Sequence, residues 1–300
     1  MSNPALSYLL NLSSAESRKT MRRVLDKITR LHGHTIDTYP WASMNASVVL
    51  ETLAMLEEKG LSYRTINVAL SALKGVAKQC WREALLDGDT LERIKDIEHR
   101  RGNRLPAGMA LDVSEIEALL DAADKLNSQT ARLRAKVIIL LGFDAGLRRT
   151  EIGGIRRENV DLKNSIIRIT GKGNKEREVP LSSRLHDALS QWIAHIRGLK
   201  GEGVCGECLF GPLKKNGEVR HLKGISGDGL FKLIRHLSIL AGLSEDRAPS
   251  PHDMRRTAIT NWLDRGNVRV AQALAGHEHV QTTMRYDKGD LEEEKRKVIE

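Results

Sequence analysis

Residues 134–145 read RAKVIILLGFDA, a run that is apolar from Val137 to Phe143 except at Gly142. The segment is best read as a buried helix, and a helix apolar on every side has to be enclosed by other elements. It is too short for a bilayer, which needs about 20 apolar residues. The chain must therefore wrap further secondary structure around it. With 300 residues it can bury a substantial core, and it has the length of two domains rather than one.

The N-terminal third supplies helices of its own. In residues 17–32, Met21, Val24, Leu25, Ile28 and Leu31 share one helical face. A second helix over 46–59 carries Val48, Val49, Leu53 and Leu56 and stops at Gly60. Ser62 can cap a third, SYRTINVALSALKGVAKQCW, whose Ile66, Leu70, Leu73 and Ala77 line one side. Arg64, Asn67, Ser71, Lys74 and Lys78 are left on the other side, facing solvent or a partner.

Residues 98–111, EHRRGNRLPAGMAL, change character. Arg100, Arg101 and Arg104 accompany Gly102, Pro106 and Gly108, which predicts an exposed basic linker. Beyond it, Asp112 or Ser114 caps a helix, SEIEALLDAADKL. The expected division is a helical domain over 1–98, a linker over 99–111, a second domain over 112–289 and a charged tail over 290–300. In the second domain, SIIRITGKGNKEREVPLS holds two β-branched runs around GKGNK, the pattern of a hairpin. Helices are expected near 183–197 and 227–241. The fold class is thus mostly α with a small β-sheet: an all-helical N-terminal domain followed by a mixed α/β one.

Charge narrows the function. A formal net charge of +9 favours a polyanionic partner, nucleic acid first, although a solvated basic surface has the same composition. No apolar run approaches membrane-spanning length, and MSNPALSYLL offers no basic stretch ahead of an apolar one. A cytoplasmic protein without a membrane partner is expected. Three cysteines make no disulfide framework, and Cys205 and Cys208 supply only half of a zinc site, so an ordinary loop is expected there.

Several polar turns bring chemistry next to packed elements. In SPHDMRRTAITNWLDRG, Ser250 is an N-cap, Pro251 stands at N1, Asp253 completes a capping box and Gly266 ends the helix. His252 and Arg255 share a face of its first turns, where free N–H groups favour a phosphate. A capping helix with a surface His and Arg would read the same way. Arg148 follows the buried helix, Lys172 lies at the hairpin tip, and GHEHVQTTMRYDKGD carries His277 and Tyr286. Together these groups could grip phosphate oxygens, protonate a leaving oxygen and supply a nucleophile.

Four motifs in order make the sequence resemble the tyrosine recombinase (phage integrase) family. They are AGLRRTEI at 145–152, GKGNKEREVPL at 171–181, HDMRRT at 252–257, and LAGH at 274–277 followed by Tyr286. The first third is similar to that family's helical core-binding domain, notably in SYRTINVALSALK at 62–74. The resemblance implies a catalytic set of Arg148, Lys172, His252, Arg255, His277 and Tyr286, with Glu151 in support. LAGH stands where LGH is commoner, and His279 is taken as structural. Tyr286 would attack a DNA phosphodiester and form a 3′-phosphotyrosyl link, with His252 as base and Lys172 as acid. Arg148 and Arg255 would clamp the non-bridging oxygens, and His277 would add a hydrogen bond. No metal and no nucleotide cofactor is implied.

The resemblance also implies double-stranded DNA as partner, a tetramer on that DNA, and docking of the 290–300 tail on a neighbouring protomer. Arg64, Asn67, Lys74, Arg100, Arg101 and Arg104 are the candidate DNA contacts. The sequence opens almost directly on the core-binding pattern, which leans towards a recombinase of a transposon, plasmid or chromosome. The alternatives are a type IB topoisomerase-like relaxase, a DNA-binding regulator without catalysis, and a metal-dependent phosphohydrolase using His252, Asp253, His277, Glu278 and His279.

Overall fold

The computed structural model describes residues 3–102, 108–171, 175–199, 208–214, 219 and 223–287. The chain divides into two compact units, residues 1–105 and 106–300.

Among its described residues the first unit has no strand, and its α-helices are α1 (Pro4–Leu10), α2 (Ala15–Leu31), α3 (Ala46–Glu58), α4 (Tyr63–Arg82) and α5 (Gly88–Lys95). α4 is the central helix and touches all four others. It buries Ile66, Ala69, Leu70, Leu73, Val76 and Ala77, which takes in the whole face expected from the 3.6-residue period. Each helix start has a side-chain cap, and Ser62 Oγ accepts from Thr65 N at 3.3 Å.

The second unit encloses the apolar run. That run is α7 (Gln129–Phe143), preceded by α6 (Val113–Asp124) and followed by α8 (Arg149–Gly154). α7 starts before the expected position because Ser128 caps it, its hydroxyl accepting from Ala131 N at 3.1 Å. α6, α8 and two further helices, α9 (Ser183–Gly198) and α11 (Pro251–Arg265), surround α7. Of the two candidate caps of α6, Asp112 is the one used, in a full capping box with Glu115.

A three-stranded antiparallel sheet, β1 (Val160–Asp161), β2 (Ile166–Thr170) and β3 (Glu176–Pro180), contains the expected hairpin. Its register pairs Ile167 with Val179 and Ile169 with Arg177. The remaining helices are α10 (Gly227–Leu240), α12 (Val268–Ala275) and α13 (Val280–Met284). Among the described residues no helix is long and apolar enough to cross a membrane.

The basic segment between the units is anchored at both described ends. Asn67 exchanges two hydrogen bonds with the backbone of Arg100, at 2.9 and 2.7 Å. Met109 N donates to Asp253 Oδ1 at 3.1 Å, and Leu111 N to Thr257 Oγ1 at 3.0 Å.

Candidate active site

Arg148 is the residue before the first turn of α8, with an extended backbone. Its N–H donates to Glu151 Oε2 and its Nη1 to Glu151 Oε1, both at 2.8 Å. The Glu151 side chain is almost wholly enclosed, at 3 % exposure. Burial alone would raise its pKa. Hydrogen bonds from Arg177 and Arg148 outweigh burial and hold the carboxyl at about 2. Arg148 keeps more than a third of its side chain exposed, so one end of the residue is fixed and the other is open.

α11 places its functional groups through its N-terminal geometry. Ser250 Oγ accepts from Asp253 N at 3.3 Å, and the Asp253 carboxylate accepts from Ser250 N at 2.8 Å. That box fixes the turn on which His252 lies. Arg255 is buried one turn later. Its Nη1 donates to Gly146 O and its Nη2 to Ala275 O, each at 2.6 Å. Burial, followed by the charge of Arg148, lowers the pKa of Arg255 to about 10. Gly146 and Gly276 both hold the left-handed conformation, φ +58° and +60°, which strains any residue with a Cβ. The turn at Gly146 offers its carbonyl to Arg255, and the turn at Gly276 caps α12 just before His277.

His277 is a neutral imidazole of defined tautomer. Arg255 Nη2 lies 3.0 Å from His277 Nε2, and a guanidinium can only donate, so Nε2 accepts. The proton therefore belongs to Nδ1, which donates to Thr283 Oγ1 at 2.9 Å. Burial and the charges of Arg255, Arg148 and Arg177 push the pKa down to about 4. Both ring nitrogens of His277 thus have partners within the chain.

Tyr286 follows α13 and is buried, at 9 % exposure, although its sequence neighbourhood is polar. It clusters with Ile259, Ala275, Trp262 and Leu263. The His277 ring stacks on its ring at 5.9 Å, and the His252 ring meets it edge-on at 6.4 Å. Arg256 lies over the same ring at 5.1 Å, a cation–π contact. His252 has a lowered pKa, first from burial and then from the charge of Arg256. A cavity of about 290 Å³ is lined by Arg148, Thr150, Pro251, His252 and Arg255. A larger one of about 670 Å³ is lined by Arg148, Arg177 and His277 among others.

The structure thus brings Arg148, Glu151, His252, Arg255, His277 and Tyr286 to one site. Lys172 lies outside the described residues, as do Arg104, Cys205 and the 290–300 tail. Two residues missed by the sequence reading belong to the site, Arg177 and Arg256. His279 is exposed at the start of α13 and makes no capping bond.

Two carboxylates of the metal alternative have partners within the chain. Asp253 is occupied by Ser250 and Met109, and Glu278 pairs with Lys175 at 2.8 Å. Among the described residues no three His, Cys, Asp or Glu side chains group as a metal ion requires.

The DNA-contact candidates in the first unit divide. Asn67 is engaged with Arg100, and Lys74 Nζ donates to the carbonyls of Lys95 and Ile97 at 2.6 and 2.7 Å. Arg100 pairs with Glu57 at 2.6 Å. Arg64 and Arg101 are exposed.

Residues 110–293 match the phage integrase family. A tyrosine recombinase XerD of Pseudomonas aeruginosa is 30% identical over 239 residues, 79% of this chain and 75% of that protein. A tyrosine recombinase XerC of Alcanivorax borkumensis is 28% identical over 93% of this chain and 92% of its own. Among solved structures, a Tn1549 transposon integrase in complex with transposon right end DNA superposes with a TM-score of 0.69 at 20% identity, covering 99% of this chain and 98% of that one. A lambda integrase dimer bound to a core site gives 0.67 at 14% identity, covering 95% and 93%. At such identities the structural likeness concerns the fold.

Proposed function

The chain belongs to the phage integrase family and is a site-specific tyrosine recombinase, and from this premise we propose that Tyr286 is its nucleophile and Arg148, Lys172, His252, Arg255 and His277 its catalytic set. The observation that carries the reading is the enclosure of the Tyr286 ring by His252 and His277, with Arg255 hydrogen-bonded to the latter.

The Tyr286 oxygen attacks the phosphorus of a DNA phosphodiester. A bond from phenol oxygen to phosphorus forms, and the bond from phosphorus to the 5′ oxygen breaks. A phenol titrates near pH 10 and needs a base. His252 takes the proton, and its lowered pKa keeps it neutral and able to do so near pH 7. Lys172 gives a proton to the leaving 5′ oxygen, which an arginine cannot do. Arg148 and Arg255 hold the non-bridging oxygens, where each such donor is worth about 3 kcal/mol. Arg255 has its partners in the backbone, so it is aligned before DNA arrives. His277 supports Arg255 and the tyrosine ring. The 3′-phosphotyrosyl link stores the bond energy, and attack by a 5′-hydroxyl reverses the step without metal or ATP.

Double-stranded DNA is the partner, in keeping with the basic composition. Exchange between two duplexes needs four cleavages, and four chains with one tyrosine each supply them, which makes the working form a tetramer. Residues 1–98 serve as the core-binding domain and 112–289 as the catalytic domain. The 290–300 tail docks on a neighbouring protomer. The setting is a mobile element or chromosome in the cytoplasm.

The test uses a nicked duplex that traps the intermediate, bearing a site found by sequencing DNA that the protein retains. With EDTA present, wild type should yield a covalent protein–DNA band and Tyr286→Phe none, with DNA binding kept. Binding without a band in wild type would refute the assignment.

A further inference from the structure

We infer that Arg177 is a positioning residue, which sets Arg148 through the Glu151 carboxylate and ties β3 to the end of α12. The inference rests on the reading of the site given above and adds a residue to it.

Arg177 Nη1 and Nη2 donate to Glu151 Oε1 and Oε2 at 3.0 and 2.9 Å, the two-pronged geometry that only a guanidinium can make. Its Nε donates to Leu274 O at 3.0 Å, so every nitrogen of the group is committed. Glu151 in turn accepts from the backbone and the side chain of Arg148. The carboxylate is thus a bridge with one arginine on each side.

Exposure sets the order of the bridge. The Arg177 side chain is 12 % exposed and that of Arg148 37 %. Arg148 is the member that can reach a phosphate, and Arg177 stands behind it. The Arg177 stem also lies against Gly276, where a Cβ would come within 3.0 Å of its Cδ. Gly276 immediately precedes His277 and offers its carbonyl to Arg148 Nη2 at 3.4 Å. One largely enclosed side chain therefore fixes β3, the carboxylate behind Arg148 and the backbone leading into His277.

The experiment compares single-turnover formation of the covalent adduct with DNA affinity. The variants are Arg177→Lys, Glu151→Gln and the double variant, with thermal transitions reporting folding. Arg177→Lys keeps the charge but loses the fork. Its cleavage rate should fall roughly 10–100-fold, the range seen when the group supporting a metal ligand is lost. Its affinity for DNA should stay within about twofold. In the Glu151→Gln background the same substitution should cost no more than about twofold further, because both act through one relay. Glu151→Asp, which breaks the relay with Arg177 in place, should show the same split and serves if Arg177→Lys does not fold.

A wild-type cleavage rate in Arg177→Lys or Glu151→Asp overturns the inference. So do losses that multiply in the double variant, since Arg177 would then act on DNA directly. No adduct with wild type would instead overturn the reading of the site, and this inference with it.

Discussion

The ring of His277 lies almost parallel to that of Tyr286, 14° between planes and 5.9 Å between centroids. The same imidazole accepts from Arg255 through Nε2 and donates to Thr283 through Nδ1. His277→Gln keeps an acceptor for Arg255 and loses the stack. An aromatic pair is worth about 0.5–1.5 kcal/mol, so the adduct should form roughly two- to twelvefold more slowly. Trapping on the nicked duplex measures it.

Two groups of the site make folding depend on pH in the same direction. His277 titrates at about 4 when folded against an ordinary 6.5, and Glu151 at about 2 against 4.5. In both cases the unfolded chain binds more protons between the two values. The His277 contribution is full above pH 6.5 and fades towards pH 4. That of Glu151 is full above 4.5 and fades towards pH 2. The melting temperature of wild type should fall through pH 6.5–4, and less steeply in His277→Gln. Calorimetry across that range checks the slope.

Arg256 faces both Tyr286 and His252. After burial, its charge is the main cause of the low pKa of His252. Arg256→Gln should therefore raise that pKa. If His252 is the base, the acid limb of the cleavage profile moves to higher pH. Single-turnover rates from pH 5 to 8 measure the limb, and an unmoved limb would argue against His252 as base.

Asn67 and Arg64 share the polar side of α4 but should behave differently. Asn67 satisfies the backbone N–H and carbonyl of Arg100, so Asn67→Ala should destabilise the first unit by about 1–3 kcal/mol. Arg64 is exposed, and its Nε donates to the neighbouring Tyr63 hydroxyl at 3.2 Å. If it meets a phosphate, Arg64→Ala lowers the salt slope of DNA binding by about 1 and leaves stability unchanged. Chemical denaturation and salt titration separate the two.

These differences mark where sequence reasoning reaches and where it stops. Helix periodicity found the buried face of α4 because burial there repeats with the turn. It could not find Asn67 and Lys74 tying down residues 95–100, since those partners lie more than twenty positions along the chain. The two-residue β1 is too short to carry a pattern, and so is α13. Arg177 did leave a signal. It stands two residues before Val179 on β3, which places both on the inward face of the hairpin. Arg256 left none, because every residue of α11 from Asp253 to Thr260 is buried and no face distinguishes one from the next.

The three side chains around the Tyr286 ring come from the same polypeptide as the tyrosine. If Tyr286 is the nucleophile and keeps these contacts on DNA, each chain cuts in cis, at its own arginines. Two differently crippled chains, one Tyr286→Phe and the other Arg255→Ala, then leave no polypeptide intact, and mixing them restores no cleavage. On that reading the unit of inheritance for a lesion in this site is the single chain, however many chains gather on the DNA.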